Sequence, residues 1–190
     1  MTTTPAFPAG IVTETVATIS GAQEGTIDVH NAQTPCATMT IRWGHIAMTF
    51  TSAEQVQHVL GYFAMARQGM LGVLNTVPLP VAPDHPHQVA TLIAVTWTRN
   101  PDGVAYRDTM HIPAMRRTIT FVSLKLGPVR FQILDRTGID SAIELLTRAH
   151  KTAITAFVDG QDYRQNPTRP SWRPRAARLV TKGTDWPPRR

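Results

Sequence analysis

Two amphipathic helical patterns, each preceded by a run of strand-like segments, constrain the fold of this chain more than any other feature of the sequence. Apolar residues recur at three- and four-residue spacing from Val56 to Leu74 and again from Ile139 to Phe157. A pattern of this length covers about five helical turns. We therefore predict two long helices, each with one apolar face that packs against another layer of the protein.

Both helices have signals at their ends. Thr51 and Glu54 have the spacing of a capping box, in which side chains accept hydrogen bonds from unpaired backbone amides. For the second helix, Thr137 and Asp140 are alternative N-caps, and Gly160 suits the left-handed position that often closes a helix. These signals place the first helix at about residues 52–74 and start the second near residue 138.

Most of the remaining sequence before residue 134 is strand-like, because it is rich in Thr, Val and Ile and broken by Gly and Pro. The order of elements is ββββα followed by ββββα, which predicts an α+β fold with antiparallel sheet. The hairpins at 38–50 and 118–131 read alike, so either an internal duplication or a chance likeness of two amphipathic hairpins accounts for them. The predicted strands are residues 11–20, 25–30, 37–43, 46–50, 89–99, 104–112, 117–126 and 129–134.

Charge divides the chain into a near-neutral body and a basic tail. Residues 164–190 contain seven Arg and one Lys against one Asp, a formal charge of +7, whereas residues 1–163 have a formal charge of −1. Prolines break the tail, so we expect it to be disordered. The predicted organisation is a flexible leader at 1–10, one domain at 11–163 with halves 11–74 and 89–160 joined by a proline-rich linker at 75–88, and the tail at 164–190.

Alternation along the strands predicts which aromatic side chains are buried. Met39, Ile41 and Trp43 share one face of their strand, so Trp43 is predicted to lie in the core. Trp97 lies in a strand that is apolar on both faces, from which we expect a central or doubly covered position.

Basic residues of the body are candidate contacts for a phosphate backbone. Trp97 and Tyr106 are possible stacking partners for unpaired bases. An ordinary solvated surface accounts for the same residues. The body candidates are Arg42, Arg99, Arg116, Arg117, Lys125 and Arg130.

The tail combines guanidinium groups with indole rings, which bind polyanions through charge and cation–π contacts. A solubilising tail without a dedicated ligand is the alternative. The tail candidates are Arg169, Trp172, Arg173, Arg175, Arg178, Lys182, Trp186, Arg189 and Arg190.

In element order, the two ββββα units of residues 11–159 resemble the Whirly and PUR-repeat proteins. That resemblance implies antiparallel sheets that hold single-stranded nucleic acid. The lysine-glycine-lysine run of Whirly proteins and the basic-aromatic pattern of PUR repeats are absent from this sequence.

No catalytic signature is present: the sequence has no phosphate-binding glycine loop, nucleophile elbow or paired-carboxylate constellation. Asp84, His85 and His87, with His111 or Asp108, are candidate metal ligands, but flanking prolines disfavour the orienting contacts that such ligands need. We predict neither a metal nor a cofactor. No membrane span or export signal is expected, and cytoplasmic residence is the default.

The sequence therefore favours a non-enzymatic protein that associates with DNA or RNA through its Arg-rich tail and possibly a sheet face, and that self-associates or binds a protein partner. One alternative is an adaptor, chaperone or structural subunit that docks a partner through Tyr62, Phe63, Met65 and Met70 of the first helix. A second alternative is an α+β cup for a small apolar ligand.

Overall fold

The computed structural model of the protein describes residues 13–77, 92–169, Trp172 and the backbone of residues 178 and 179. In this part of the chain the helices are α1 (Ala53–Gln68) and α2 (Arg136–Ala156), and a short 3-10 turn lies at Pro113–Met115. The strands are β1 (Thr15–Ile19), β2 (Gly25–His30), β3 (Thr38–Trp43), β4 (Ile46–Phe50), β5 (Ile93–Thr96), β6 (Gly103–Ile112), β7 (Arg117–Leu126), β8 (Val129–Ile133) and β9 (Arg178–Leu179).

The strands form two sheets, and both are mixed. The five-stranded sheet has the order β1-β8-β7-β6-β9, and the four-stranded sheet has the order β2-β3-β4-β5. Strands joined by short turns pair antiparallel, as predicted, but β1 lies parallel to β8, β9 parallel to β6, and β5 parallel to β4. The prediction of purely antiparallel sheet is therefore wrong at the outer strands, where long connections permit parallel pairing.

The two halves of the chain exchange their first strands. β1 leaves the first half and pairs with β8 of the second, while β5 leaves the second half and pairs with β4 of the first. The ββββα order of each half is confirmed. In both halves the first strand pairs in parallel with the last strand of the other half. An origin by duplication stays a prediction.

One apolar core draws on both halves. Trp43, Phe63 and Phe131 pack ring against ring, with centroids 5.3 to 6.1 Å apart. Trp43 is buried, as predicted. The two helices pack against each other and against both sheets. The space between the layers is therefore filled by side chains from helices and strands alike.

Helix α1 begins one residue later than the predicted capping box. Ser52 is the N-cap, and its hydroxyl accepts a hydrogen bond from the Gln55 amide at 3.3 Å. The Gln55 side chain accepts in return from the Thr51 amide at 2.9 Å, so Gln55 replaces Glu54 in the predicted pair. The helix ends at Gln68, six residues before the predicted end, and the backbone turns at Gly69.

Helix α2 is capped by Asp135, and not by Thr137 or Asp140 as predicted. Gly160 does not have the predicted left-handed conformation, and the helix closes at Phe157. Glycine is required at position 160 for a different reason, because a Cβ there would overlap the backbone carbonyl of Ile154.

The Asp135 carboxylate also joins three segments of the chain. It is fully buried and accepts hydrogen bonds from the amides of Gly21, Val77 and Gly138 and from the Ser20 hydroxyl, at 2.7 to 3.1 Å. Residues that follow β1, the start of the predicted linker and the first turn of α2 are thus held by one side chain. Residues 78–88 of that linker lie outside the described part.

Trp97 is buried, but the strand before it is not central. β5 occupies an edge of the four-stranded sheet, and Ala94 and Thr96 are exposed. The Trp97 amide donates to the Thr49 carbonyl at 2.9 Å, and the side chain enters the main core. The prediction of a central, doubly covered strand is therefore wrong: one face of β5 is open.

The first part of the predicted disordered tail is folded onto the body. Residues 164–169 and Trp172 have described positions, Pro167 is buried, and Arg178 and Leu179 pair with Val104 and Ala105 of β6. For these residues the prediction of disorder is wrong, because backbone and side-chain contacts with the body hold them. The other tail residues lie outside the described part, as does the predicted leader at 1–10.

Candidate nucleic-acid interface

The C-terminal segment is fixed where it leaves α2. The Tyr163 carbonyl lies 2.8 Å from the His150 Nε2, and the Gln57 Nε2 donates to the same carbonyl at 3.0 Å and to the Gln165 carbonyl at 2.8 Å. Gln57 and His150 are buried, so these polar contacts satisfy side chains that water does not reach. Burial lowers the pKa of His150, with the Tyr163 carbonyl opposing that shift. The segment after α2 is therefore part of the packed structure.

Trp172 gives the segment a second fixed point. The six-membered edge of its indole lies where a Cβ at Gly61 of α1 would be, so the absence of a side chain at Gly61 creates the seat for the ring. The Trp172 amide donates to the Arg169 carbonyl at 3.0 Å, which closes a turn before the ring. Trp172 remains half-exposed.

A cavity of about 500 Å³ opens beside this ring. The Asn166 Oδ1 accepts hydrogen bonds from the Thr168 amide at 2.9 Å and the Thr168 hydroxyl at 2.7 Å. We call this space the Trp172 cavity; it is lined by Arg164, Gln165, Asn166, Arg169 and Trp172.

A second cavity, of about 520 Å³, lies along the outer face of α2. Its lining includes Arg67 of α1, Arg148 and Lys151 of α2, and Thr168, which is bonded to Asn166 of the Trp172 cavity. The hydrogen bonds between Thr168 and Asn166 therefore link the linings of the two cavities within the docked C-terminal segment.

A third cavity, of about 430 Å³, lies at the other end of the helix pair. It shares Arg67 with the second cavity and adds Arg136 at the start of α2. From Arg136 to Lys151, α2 extends about 22 Å at its rise per residue. The three cavities thus form a row that we call the helix-side track, with the cations Arg67, Arg136, Arg148, Lys151, Arg164 and Arg169.

The helix-side track has more positive than negative side chains. Asp140 and Glu144 are its acids; Asp140 lies 3.8 Å from Arg67, in a pair that is half-exposed. Arg136 donates to the Met70 carbonyl at 3.3 Å, and that neutral contact leaves its charge uncompensated. The other four cations are exposed and form no ion pair with the residues that the structure describes. An anion on this surface would meet a net positive field.

The cations predicted on the sheets are dispersed, and several are neutralised. Arg130 forms a two-pronged hydrogen bond to Glu14 at 2.7 and 2.8 Å, and Lys125 lies 3.8 Å from the same carboxylate. Arg42 lies 4.0 Å from Asp28 on the other sheet. Arg116 and Arg117 are exposed at the start of β7, and Arg99 is exposed after β5. Contact of the six body candidates with nucleic acid stays a prediction.

The predicted aromatic partners also differ from the prediction. Trp97 is buried in the core, which excludes it as a stacking platform for bases in this conformation. Tyr106 is half-buried in β6, and both Tyr106 and Trp172 have further contacts. Of the aromatic residues in the described part, Trp172 is the one that stands beside exposed cations in a cavity.

Sequence reasoning missed Arg67, Arg136, Arg148, Lys151 and Arg164. Arg136, Arg148 and Lys151 lie on α2, and Arg67 joins them because α1 packs antiparallel to α2. The available signal was the polar stripe of α2, where Asp140, Glu144, Arg148 and Lys151 recur at helical spacing.

The side chains of most tail candidates lie outside the described residues. These are Arg173, Arg175, Lys182, Trp186, Arg189 and Arg190; Arg178 is described only as backbone in β9. Their contact with nucleic acid stays a prediction.

The α1 side chains named for a docked partner contribute to the protein's own core. Tyr62, Phe63 and Met70 are buried, and the partly buried Met65 packs against the main core. A function as an adaptor or structural subunit stays a prediction.

Among the described residues, no group of three or more His, Cys, Asp or Glu side chains could hold a metal ion. Asp84, His85 and His87 lie outside that part. None of the described helices has both the length and the apolar character that crossing a bilayer requires.

Comparison with protein-family models, with curated protein sequences and with solved structures finds no match for the chain. The resemblance to Whirly and PUR-repeat proteins therefore stays one of element order.

Proposed function

We propose that this protein is a non-enzymatic nucleic-acid-associated protein, and that its helix-side track contacts the phosphate backbone of DNA or RNA. One observation carries this proposal: among the described residues, six cations and two acids line the three cavities along the helix pair. Phosphate contacts release counterions, which supplies most of the sequence-independent affinity of such proteins.

The position of the C-terminal segment supports the same function. Arg164 and Arg169 lie at one end of the track, and the other basic residues of the tail follow them in the sequence. An Arg-rich extension that starts beside a basic surface adds phosphate contacts at a high effective concentration. The track and the tail then act on one polyanion.

Two double variants of equal charge test the location of the contact. Arg148→Gln with Lys151→Gln removes two cations from the track, and Arg116→Gln with Arg117→Gln removes two exposed cations from the β7 side. Affinity for a fluorescent 20-base-pair DNA and for a single strand of the same length is measured by anisotropy at several salt concentrations.

We expect the track variant to weaken binding and to lower the slope of log affinity against log salt by about 1 for each removed cation. The control variant should leave both quantities near those of the unmodified protein. Equal losses in the two variants would overturn the assignment to the helix-side track, and absence of salt-dependent binding to either DNA would overturn the proposed function itself.

A further inference from the structure

We propose that the Trp172 cavity binds one nucleotide unit, with the base against the indole and the phosphate held by Arg164 and Arg169. This inference rests on the proposed function. It adds a site for a base at one end of the helix-side track, whose other cations contact phosphates. The same chemistry is presented by a free nucleoside monophosphate and by an unpaired nucleotide of a longer strand.

The size and lining of the cavity fit such a unit. Its volume of about 500 Å³ lies within the range of small-molecule sites. Arginine side chains suit phosphate, because their planar forks donate to two oxygens at once. An indole ring adds stacking energy for any base, which a purely phosphate-binding site does not need.

Asn166 supplies a directional donor. Its Oδ1 accepts from both the amide and the hydroxyl of Thr168, which fixes the orientation of the carboxamide. The Nδ2 group, which no hydrogen bond engages among the described residues, is then available to an acceptor in the cavity. A base edge and a phosphate oxygen are both suitable acceptors.

The cavity is held in shape before any ligand arrives. Trp172 is seated on Gly61, Pro167 is buried, and Gln57 anchors the carbonyls of Tyr163 and Gln165. A preorganised site loses little conformational entropy on binding.

Two of the neighbouring carboxylates have partners elsewhere. Glu54 lies beside the Tyr163 side chain, and Asp159 accepts from the amides of Ala53 and Glu54 at the start of α1. Neither carboxylate forms an ion pair with Arg164 or Arg169. The two guanidinium groups therefore keep their charge for a ligand.

Gly61→Ala tests the site without altering the tail or any charge. The added methyl would overlap the Trp172 ring and must displace it, while alanine suits the helix itself. A second variant, Asn166→Asp, keeps the acceptor for Thr168 but faces a ligand phosphate with a negative charge. Asn31→Asp is its control because it makes the same change of charge at an exposed turn that does not line the Trp172 cavity, although Gln33 of that turn contacts the end of α2.

Binding of adenosine 5′-monophosphate and of inorganic phosphate to the full chain is measured by titration calorimetry. We expect the nucleotide to bind about tenfold or more tightly than phosphate, in keeping with the energy of one stacked base. Gly61→Ala and Asn166→Asp should remove that advantage, and Asn31→Asp should retain it. Equal affinity for the two ligands, or an unchanged preference in both cavity variants, would overturn the proposal.

Binding to a single-stranded 12-mer and to its abasic counterpart identifies the source of the nucleotide. If the unmodified protein binds the abasic 12-mer more weakly than the normal 12-mer, and if Gly61→Ala removes that difference, the ligand is an unpaired base of a strand. If the two 12-mers bind equally while the preference for the nucleotide over phosphate remains, the ligand is a free monophosphate. Nucleotide binding without polymer binding would refute the proposed function alone. Polymer binding through the track without nucleotide preference would refute this inference alone.

Discussion

Replacing Asp135 should destabilise the fold more than replacing either predicted cap of α2. In Asp135→Ala the amides of Gly21, Val77 and Gly138 all lose their acceptor. The Ser20 hydroxyl retains a partner in the Val77 carbonyl at 3.0 Å. The Val77 and Gly138 amides are buried and the Gly21 amide is part-buried. At about 1–3 kcal/mol for each buried donor left unsatisfied, we expect a loss of about 3 kcal/mol.

Asp135→Asn separates the capping of α2 from the hydrogen bonds that the Asp135 side chain accepts from segments outside the helix. Asparagine caps helices as well as aspartate does, so the bond to the Gly138 amide should survive. Its NH₂ group replaces one of the carboxylate oxygens and opposes the Val77 or Gly21 amide. We therefore expect a loss of about 2 kcal/mol, smaller than for alanine, from the segments outside the helix.

Urea unfolding followed by circular dichroism measures both losses. At a slope of about 2 kcal/mol per molar urea, a 3 kcal/mol loss lowers the midpoint by about 1.5 M. Asp140→Ala and Thr137→Ala are the controls, with expected losses below about 1 kcal/mol, because both side chains are exposed. A loss in either control equal to that of Asp135→Ala would refute the assignment of the cap.

Three further predictions follow from other contacts. Glu14→Gln removes the carboxylate that neutralises Arg130; we expect unchanged affinity for DNA, and a clear increase would locate binding on the five-stranded sheet instead of the helices. Because burial puts the pKa of His150 below 6.5 in the folded state, the unfolded state binds more protons as the pH falls below 6.5, so the free energy of unfolding decreases with acidification. Urea unfolding between pH 7.5 and 5.5 should show that the free energy of unfolding decreases less steeply with acidification in His150→Gln than in the unmodified protein. Part of the decrease should remain, because burial also lowers the pKa of His58. An unchanged dependence of the free energy on pH would contradict the role of His150. Gly160→Ala should cost about 1–3 kcal/mol because the methyl group meets the Ile154 carbonyl, and a neutral result in the same assay would disprove that close approach.

Local patterns in the sequence predicted the local elements of the fold. β2, β4 and β7 begin and end at the predicted residues, because alternation ends at glycines and turns on either side. α1 is shorter than its apolar pattern, since Met70 and Val73 remain buried after the helix has ended. Periodicity thus indicates a buried stripe more reliably than the last helical residue.

Contacts between distant segments could not be predicted in this way. Nothing near Thr15 indicates that it pairs with Val129, and nothing near Gly61 indicates that it seats Trp172. The sequence around the start of α2 contains several residues that can cap a helix, so it does not single out Asp135. The amides of Gly21 and Val77, which are distant in the chain, favour Asp135 because they also donate to its carboxylate. The helix-side track was missed for the same reason, since its cations come together only when the helices pack.

The exchange of first strands between the halves has a consequence for folding during synthesis. β1 is translated before the other strands that the structure describes, whereas its partner β8 is made only after β2 to β7. Until β8 is made, β1 has no neighbour in its sheet. The five-stranded sheet therefore closes late, and a nascent chain that stalls within β6 or β7 exposes a strand awaiting its partner, which is a natural substrate for a chaperone.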